Sequence, residues 1–380
     1  MSVVIHSARL VDEGQITADA WVSFANGVVS ARGTGAGWRE ITAAAVVDAG
    51  GDVLSPGLID IHGHGGGGAS YDDGVEAIRT ARAVHLAHGT TRAVLSLVTA
   101  SVEDLVARVA VIADLAERDV TILGSHLEGP FLDPGHKGAH TEGLLRAPDA
   151  ASVDRLLDAG RGSIRQVTLA PELPGGLAAV AQFVAGGVAV AVGHTNATRD
   201  QAAAAFAAGA TLLTHAFNAM PGIHHRSPGP VLAAMQDPRV TLELIADGIH
   251  VHPDVIALAF AGAPGRIALI TDAMAAAGAP EGHYELGGLA VTVQDGTARL
   301  DADGAIAGST LTQDAALRLA VECGIPLPDA VAAATGVPAR ALGLDDRYGS
   351  LRVGAAADAI RWDDGLHVRD VWVDGIRRVG

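Results

Sequence analysis

Cysteine, positive charge and long apolar runs are all scarce in this sequence. The single cysteine, Cys323, excludes an internal disulfide bond. The 26 lysine and arginine residues against 43 aspartate and glutamate residues give a net charge of −17, which argues against a nucleic-acid or anionic-membrane partner. There is neither an apolar run of about 18 residues, as a membrane span needs, nor a basic segment followed by an apolar run near the N-terminus. We therefore expect a cytoplasmic protein.

The composition favours a large folded core. Hydrophobic residues make up 49% of the 380 residues and charged residues 18%, which excludes wholesale disorder. This length suits two domains, or one large barrel with an accessory piece. Composition does not distinguish an enzyme from a non-catalytic protein of the same class.

Both ends of the chain are predicted to form short strands. VVIHSARLV and ADAWVSFANGVVSARG occupy the N-terminal end, with a hairpin turn at Asn26-Gly27, and the C-terminal end turns similarly at Asp374-Gly375. No flexible linker separates either end from the centre. We expect one accessory β-sandwich domain built from residues 1–53 and 345–380.

The middle of the chain, residues 54–344, alternates short apolar strands with Ala-rich helical segments, which indicates an α/β fold. The predicted strands are VLSPGLIDIH, TTRAVLSLV, VTILGSHLE, SIRQVTLAPE, GVAVAVGHT, ATLLTHAF, VTLELIADG and RIALITDA. Eight such units favour a closed (β/α)8 TIM-like barrel over an open sheet. Segment 283–305 is predicted to form a β-hairpin excursion after the eighth strand.

Histidines and carboxylates lie where the predicted strands end. These strand-end residues are His62 and His64 (strand one), Glu128 (strand three), His194 (strand five), His215 (strand six) and Asp272 (strand eight). In a barrel these ends open onto one face, where active sites are built. Imidazoles with a carboxylate suit Zn²⁺ or Fe²⁺, with water in the remaining position. Asp272 is then placed to take a proton from that water and return it to a leaving amine.

Several motifs resemble a known enzyme family. SPGLIDIHGHG resembles the first-strand signature of the amidohydrolase superfamily, and further blocks resemble its N-acetylglucosamine-6-phosphate deacetylases. These blocks are HLEGPF (126–131), HKGAH (136–140), VGHTNA (192–197), THAFNAMPG (214–222), ADGIHV (246–251), TDAM (271–274) and AGSTLT (307–312). They follow the family's order over nearly the whole chain. The resemblance implies hydrolysis of N-acetylglucosamine 6-phosphate to glucosamine 6-phosphate and acetate.

The resemblance also implies roles for individual residues. The implied roles are main-metal ligands for Glu128, His194 and His215; acid/base for Asp272; substrate contact for Ala139, His140, Asp247, His250, Ile306 and Ala307; and phosphate binding for Asn218, the Ala219 backbone and Arg226. In the family that arginine can come from the partner of a homodimer. The implied cofactor is a divalent metal, Zn or Fe, and the implied partner is a sugar phosphate.

The number of metals is left open at one or two per chain. Some family members replace the two strand-one histidines and hold one metal, whereas this chain keeps both His62 and His64. Lys137 is the one lysine of the chain and lies in a loop. This disfavours the binuclear amidohydrolases whose metals are bridged by a carbamylated lysine, so Glu128 would have to bridge two metals here.

Two alternatives remain at this point. The chain could be another amidohydrolase, such as a D-aminoacylase or an N-acetylgalactosamine-6-phosphate deacetylase. Dependence on the substrate phosphate would distinguish a D-aminoacylase, because Arg226 and Asn218 have no purpose without a phosphate. It could also be a non-catalytic scaffold with the amidohydrolase fold, but such proteins usually lose metal ligands, and every ligand position here is filled.

Overall fold

Strands from both ends of the chain pair in one sheet of the computed structural model, which describes residues 2–380. Numbered in chain order, its strands are β1 (Ser2–Asp12), β2 (Gln15–Ala25), β3 (Val28–Thr34), β4 (Ala45–Asp48), β5 (Val53–Pro56), β19 (Ala359–Trp362), β20 (Val368–Val373) and β21 (Ile376–Val379). Their order is β21-β20-β19-β5-β1-β2-β3, with β4 also beside β1. Both predicted hairpin turns are confirmed, because Asn26-Gly27 and Asp374-Gly375 have the positive φ angles of tight hairpins.

The middle of the chain forms the predicted parallel barrel. Its strands are β6 (Leu58–Asp60), β9 (Thr90–Val98), β10 (Ile122–Glu128), β11 (Ile164–Leu169), β12 (Ala189–Val192), β13 (Leu212–Leu213), β14 (Thr241–Ile245) and β15 (Ile267–Ile270). Each strand pairs in parallel with the next along the chain. Every residue of β9 and β10 is buried, as expected for strands covered on both faces.

Backbone bonds beyond the strand ends and side-chain bonds together close the barrel between its first and last strands. The Asp272 N–H donates to the His62 carbonyl at 2.9 Å, and the His64 N–H donates to the Ala273 carbonyl at 2.7 Å. No backbone ladder joins β6 to β15 within residues 2–380. Instead, the buried side-chain amide of Gln313 donates to the carbonyls of Ile59 (2.8 Å) and Leu269 (3.1 Å). The Thr271 hydroxyl donates to the Asp60 carboxylate at 2.6 Å. The two Gln313 bonds satisfy backbone carbonyls that the missing ladder would leave unpaired.

Helices surround the barrel. They are α1 (Val75–Ala87), α2 (Val102–Ala116), α3 (Ala150–Gly160), α4 (Gly176–Ala185), α5 (Arg199–Ala207), α6 (Gly229–Gln236), α7 (Pro253–Gly262), α8 (Gln313–Glu322), α9 (Leu327–Ala334) and α10 (Gly336–Ala341). Short 3-10 helices cover Gly35–Glu40, Tyr71–Asp73, Pro134–His136 and Glu142–Leu144. Within residues 2–380, none of the helices has the length and apolar character needed to cross a bilayer. The cytoplasmic location stays a prediction.

Two regions differ in detail from the sequence-based expectation. The excursion after the eighth strand is a three-stranded antiparallel sheet and not a simple hairpin: β16 (Gly282–Leu286), β17 (Leu289–Gln294) and β18 (Thr297–Leu300). The predicted first barrel strand is divided at Gly57, with β5 in the terminal sheet and β6 in the barrel. A small two-stranded sheet, β7 (Gly65–Gly66) and β8 (Ala69–Ser70), follows β6. The domain boundaries at 53/54 and 344/345 stay predictions.

A buried arginine connects the barrel to the terminal sheet. The Arg92 side chain, on β9, is fully buried and donates to both carboxylate oxygens of Asp358, at 2.6 and 2.8 Å. It also donates to Asp374 at 2.6 Å. Because a buried charge is stable only when it is paired, these contacts hold the two sheets in one relative position.

We predict that Asp358→Ala destabilises the protein by about 3–5 kcal/mol, because it removes the bidentate partner of a buried guanidinium. Thermal and denaturant unfolding of the purified variant measures this loss. The control is Glu103→Ala, which breaks an exposed ion pair with Arg155 and should cost at most about 1 kcal/mol. Equal effects of the two substitutions would contradict a special role for the buried pair.

Candidate metal centre and active site

The six predicted strand-end residues meet at one mouth of the barrel. Glu128 is the last residue of β10, and the others follow their strands within four residues. All six are buried: His62, His64, Glu128, His194, His215 and Asp272. The sequence-based expectation that these residues share one face of the barrel is met.

Three of these residues adopt a backbone conformation that is unusual for a side-chain-bearing residue. His194, His215 and Asp272 have φ angles of 44°, 27° and 48°. The left-handed region costs energy in residues other than glycine, and such residues cluster at functional sites. Each lies two residues beyond the end of its strand, so the turn sets the direction of the side chain at the barrel mouth.

Glu128 lies between two groups of possible metal ligands. One group is His62, His64, Glu128 and Asp272, and the other is Glu128, His194 and His215. Glu128 Oε1 is 3.1 Å from His194 Nε2 and 3.2 Å from His215 Nε2. Its Oε2 is 3.0 Å from His64 Nε2. A carboxylate shared in this way can bridge two cations, as the sequence suggested.

The donor atoms fit a cation better than they fit one another. The Nε2 atoms of His194 and His215 are 2.9 Å apart. If neither nitrogen carries a proton, both can only accept, so they cannot form a hydrogen bond with each other. His194 Nδ1–H donates to the His136 carbonyl at 2.8 Å, which leaves an Nε2 lone pair facing the site. His62 Nε2 is buried without a hydrogen-bond partner. A divalent metal would accept these lone pairs.

The charge distribution also favours a cation. Burial opposes charge on His64, but hydrogen bonds to Asp272 and Glu128 outweigh it and raise the pKa of His64 to about 9. Burial likewise disfavours the Asp272 carboxylate, but the His62 charge and the His64 hydrogen bond lower its pKa to about 2. The buried carboxylates therefore create a negative potential that attracts either protons or a metal ion, and a metal ion would displace the imidazole protons when it binds.

A cleft of about 390 Å³ opens above these residues, a size that suits a small ligand. Of the residues predicted to contact substrate, those lining it are Ala139, His140, Asn218, Ala219, His250 and Ile306. Asp247 lies behind the wall, where it accepts from His250 Nδ1 at 2.6 Å. Ala307 is fully buried and does not line the cleft, although its neighbours Ile306 and Gly308 do.

Arg226 is the predicted site residue that lies apart from the others. It is exposed in the loop before α6, and the cleft lining within residues 2–380 does not include it. Its backbone N–H contacts His224 Nδ1 at 3.3 Å. The single chain therefore does not bring this guanidinium to the metal cluster.

A buried carboxylate that the sequence did not predict lies beneath the cluster. Glu243, in the middle of β14, is fully buried and accepts from His62 Nδ1 at 3.0 Å and from the Gln166 amide at 2.5 Å. It also accepts from the backbone N–H of His215 at 3.3 Å. The available signal was a single charge within the otherwise apolar strand VTLELI. Glu243 thus fixes the ring that presents His62 Nε2 to the site.

A second missed residue is His126, which is fully buried against the His62 ring, with the ring centroids 4.5 Å apart. Its ring contacts the hydroxyls of Ser96 and Thr168, each at 2.8 Å. Burial and the nearby His62 charge hold the pKa of His126 well below its usual value. It is therefore a neutral packing residue under the metal ligands.

The sequence is similar to known proteins along nearly its whole length. The model of the Amidohydrolase family matches residues 53–377. The chain is 40% identical, over 99% of both chains, to an N-acetylgalactosamine-6-phosphate deacetylase from Escherichia coli O157:H7. It is 34% identical to an N-acetylglucosamine-6-phosphate deacetylase from Vibrio furnissii, over 98% of this chain and 92% of that protein.

Solved structures of two deacetylases superpose on the full length of this chain. A mutant N-acetyl-D-glucosamine-6-phosphate deacetylase from Mycobacterium smegmatis, in complex with N-acetyl-D-glucosamine-6-phosphate, superposes with a TM-score of 0.95 and 42% identity over 100% of both chains. The N-acetylglucosamine-6-phosphate deacetylase from Pasteurella multocida superposes with a TM-score of 0.94 at 28% identity, also over both full chains.

We predict that Glu243→Ala weakens metal binding on the His62 side by about 10–100-fold, because His62 loses the acceptor that orients its ring. Titration with Zn²⁺, followed by elemental analysis, measures the loss. Glu243→Gln is the matched control: its amide oxygen can still accept from His62, and Gln166 can turn its own amide to accept in return. If both variants bind metal like the unaltered protein, Glu243 does not position His62.

Proposed function

The chain belongs to the amidohydrolase family, and we propose that it removes the acetyl group from N-acetylglucosamine 6-phosphate, giving glucosamine 6-phosphate and acetate. The observation that carries this proposal is the shared Glu128 carboxylate, with histidines on both sides and Asp272 beside it, at the floor of a cleft of substrate size. The names of relatives that match along nearly the whole chain support the choice of substrate. Filled ligand positions disfavour a non-catalytic scaffold.

Glu128, His194 and His215 would hold the main divalent metal, and His62 and His64 would hold a second one. Zn²⁺ and Fe²⁺ both accept imidazole and carboxylate ligands. When bound, the metal supplies Lewis acidity to a carbonyl oxygen and to water. The protein's part is to orient the rings: Glu243 accepts from Nδ1–H of His62 and the His136 carbonyl accepts from Nδ1–H of His194, so that both Nε2 atoms face the site.

Asp272 would transfer the proton in this reaction. Its low pKa keeps it a carboxylate at neutral pH, so it can accept a proton from the attacking water. The protonated side chain can then donate to the leaving amine nitrogen as the amide bond breaks. Asp272 Oδ1 is 3.3 Å from His64 Nε2, so this carboxylate lies beside the residues that would hold the second metal.

Two histidines of the cleft wall would contact the acetamide and the sugar. Burial lowers the pKa of His140 to about 4, so its ring is neutral. Burial opposes charge on His250, but its contact with Asp247 outweighs burial and raises its pKa. His250 is therefore the better donor to the oxygen that becomes negative in the transition state.

The phosphate would bind at the outer end of the cleft. Asn218 and Ala219 line this part, and Ala219 has a φ of 48°, a turn that can present a backbone N–H to an anion. Because Arg226 is exposed and outside the cleft of its own chain, we propose that it reaches the phosphate of a second subunit in a homodimer. A guanidinium suits phosphate because it can donate two parallel hydrogen bonds.

N-acetylgalactosamine 6-phosphate is the second candidate substrate, favoured by the 40% identity to an enzyme named for it. The two sugars differ in the configuration of one hydroxyl. Acetate release from both phosphorylated sugars and from unphosphorylated N-acetylglucosamine tests the proposal, with the metal content measured on the same sample. The proposal requires the highest kcat/KM on N-acetylglucosamine 6-phosphate, whereas a higher value on the galactose isomer would favour the second candidate.

We predict that Asp272→Asn lowers kcat by about 10²-fold or more, because the amide keeps the shape of the side chain but cannot accept the proton. The main-site metal, held by Glu128, His194 and His215, should be retained. Steady-state acetate release and elemental analysis measure both quantities. Near-normal turnover would remove Asp272 from the mechanism.

We also predict that Arg226→Ala raises KM for the phosphorylated sugar by at least about tenfold, because a charge-assisted contact to phosphate is lost. Activity on free N-acetylglucosamine should change little, since that substrate carries no phosphate. Arg226→Lys should recover only part of the lost affinity, because a lysine ammonium is a point charge and cannot donate two parallel hydrogen bonds. Equal losses on both substrates would instead indicate a role for Arg226 in folding or assembly.

A further inference from the structure

A second cleft lies on the flank of the barrel, between α1 and α2 and beside the amino end of β10. Its volume is about 630 Å³, compared with about 390 Å³ for the catalytic cleft. The two clefts share no lining residue. The catalytic cleft is built from the carboxyl ends of the strands, whereas the segment 118–122 of the second cleft leads into a strand. The second cleft is therefore a separate feature of the molecule.

Four arginines line this second cleft: Arg79, Arg82, Arg118 and Arg378. Arg79 forms an exposed pair with Glu76. The other three form no ion pair within residues 2–380. In a chain with 43 acidic and 26 basic residues, three unpaired arginines in one cleft give a local positive charge against the overall trend.

The two carboxylates of the same cleft are already engaged. Asp114 accepts from Arg161, outside the cleft lining. Asp119 accepts from the backbone N–H of Thr121 at 2.9 Å and from its hydroxyl at 2.8 Å. Asp114 is thus paired with an arginine outside the lining, and the one remaining carboxylate, Asp119, does not balance the charge of Arg82, Arg118 and Arg378.

Arg82 is the most constrained of the four. It is only 4% exposed, and its Nη2 donates to the Thr90 carbonyl at 2.8 Å. Its Nε and Nη1 are buried without a hydrogen-bond partner. A buried guanidinium without a carboxylate partner is costly, and an anion bound in the cleft would offset the positive charge of Arg82 at the inner wall.

We propose that this cleft binds a small organic anion through its phosphate or carboxylate oxygens. The guanidinium groups would bind the oxyanion by charge-assisted hydrogen bonds. Apolar side chains in the same cleft, including Leu86, Leu115 and Ile122, would pack against the rest of the molecule. This proposal is independent of the proposed reaction, because no residue of the catalytic cleft takes part.

The test is calorimetric titration of the full-length protein with inorganic phosphate and, separately, with citrate. Arg118→Ala/Arg378→Ala removes two exposed cleft arginines and should weaken binding of the preferred anion by about tenfold or more. The matched control, Arg155→Ala/Arg199→Ala, removes two exposed arginines that lie outside both clefts. The control should bind both anions like the unaltered protein.

The result with each anion decides between the two oxyanion classes. A cleft-specific loss for phosphate identifies a phosphorylated ligand, and a loss confined to citrate identifies a carboxylate. Adding Arg82→Gln should weaken anion binding further. If the Arg82→Gln variant does not fold, the Arg118→Ala/Arg378→Ala variant still tests the proposal. Unchanged affinity of the cleft variant for both anions would overturn the proposal, as would an equal loss in the control. Acetate release should be the same in the cleft variant and the unaltered protein.

Discussion

The surroundings of the Glu128 carboxylate constrain the whole mouth of the barrel. Five imidazoles have Nε2 atoms 3.0–3.4 Å from its oxygens, those of His62, His64, His140, His194 and His215. Burying one carboxylate among so many rings is costly unless protons or a metal balance the charge. Although burial opposes it, the charge on His62 and the close contacts with the His140, His194 and His215 rings hold the pKa of Glu128 well below its usual value.

The barrel supplies the rigidity that this arrangement needs. The histidines and carboxylates of this cluster come from strands far apart in sequence, so their positions depend on closure of the ring of strands. Gln313 and the Asp60–Thr271 contact close the seam between β6 and β15, directly below His62 and Asp272. Glu243, on β14, then links the His62 ring to Gln166 on β11, across the barrel. Fixed geometry matters because a catalytic metal requires ligands held within a few tenths of an ångström.

Charge is distributed unevenly over this acidic molecule. The catalytic cleft concentrates carboxylates with imidazoles, which suits a cation at its floor, while a phosphate would need donors at its rim. Asn218 and the Ala219 backbone are present there in the single chain, whereas Arg226 is outside. The phosphate part of the site is therefore less complete in one chain than the metal part. The arginine-lined cleft between α1 and α2 is the reverse case, with more arginines than carboxylates in its lining.

The sequence by itself determined the barrel, the terminal sheet and the six strand-end residues. Two local patterns were sufficient for this: apolar strands that alternate with helices, and polar residues where those strands end. It also indicated Glu128 as the bridging group, since the single lysine lies in a loop. Only the tertiary structure decided that Glu243 contacts His62, because these residues are 181 positions apart and a charge within an apolar strand does not name its partner. The same holds for Gln313 at the barrel seam and for the place of Arg226 outside the cleft, since contacts between distant parts of the chain leave no periodic trace in its sequence.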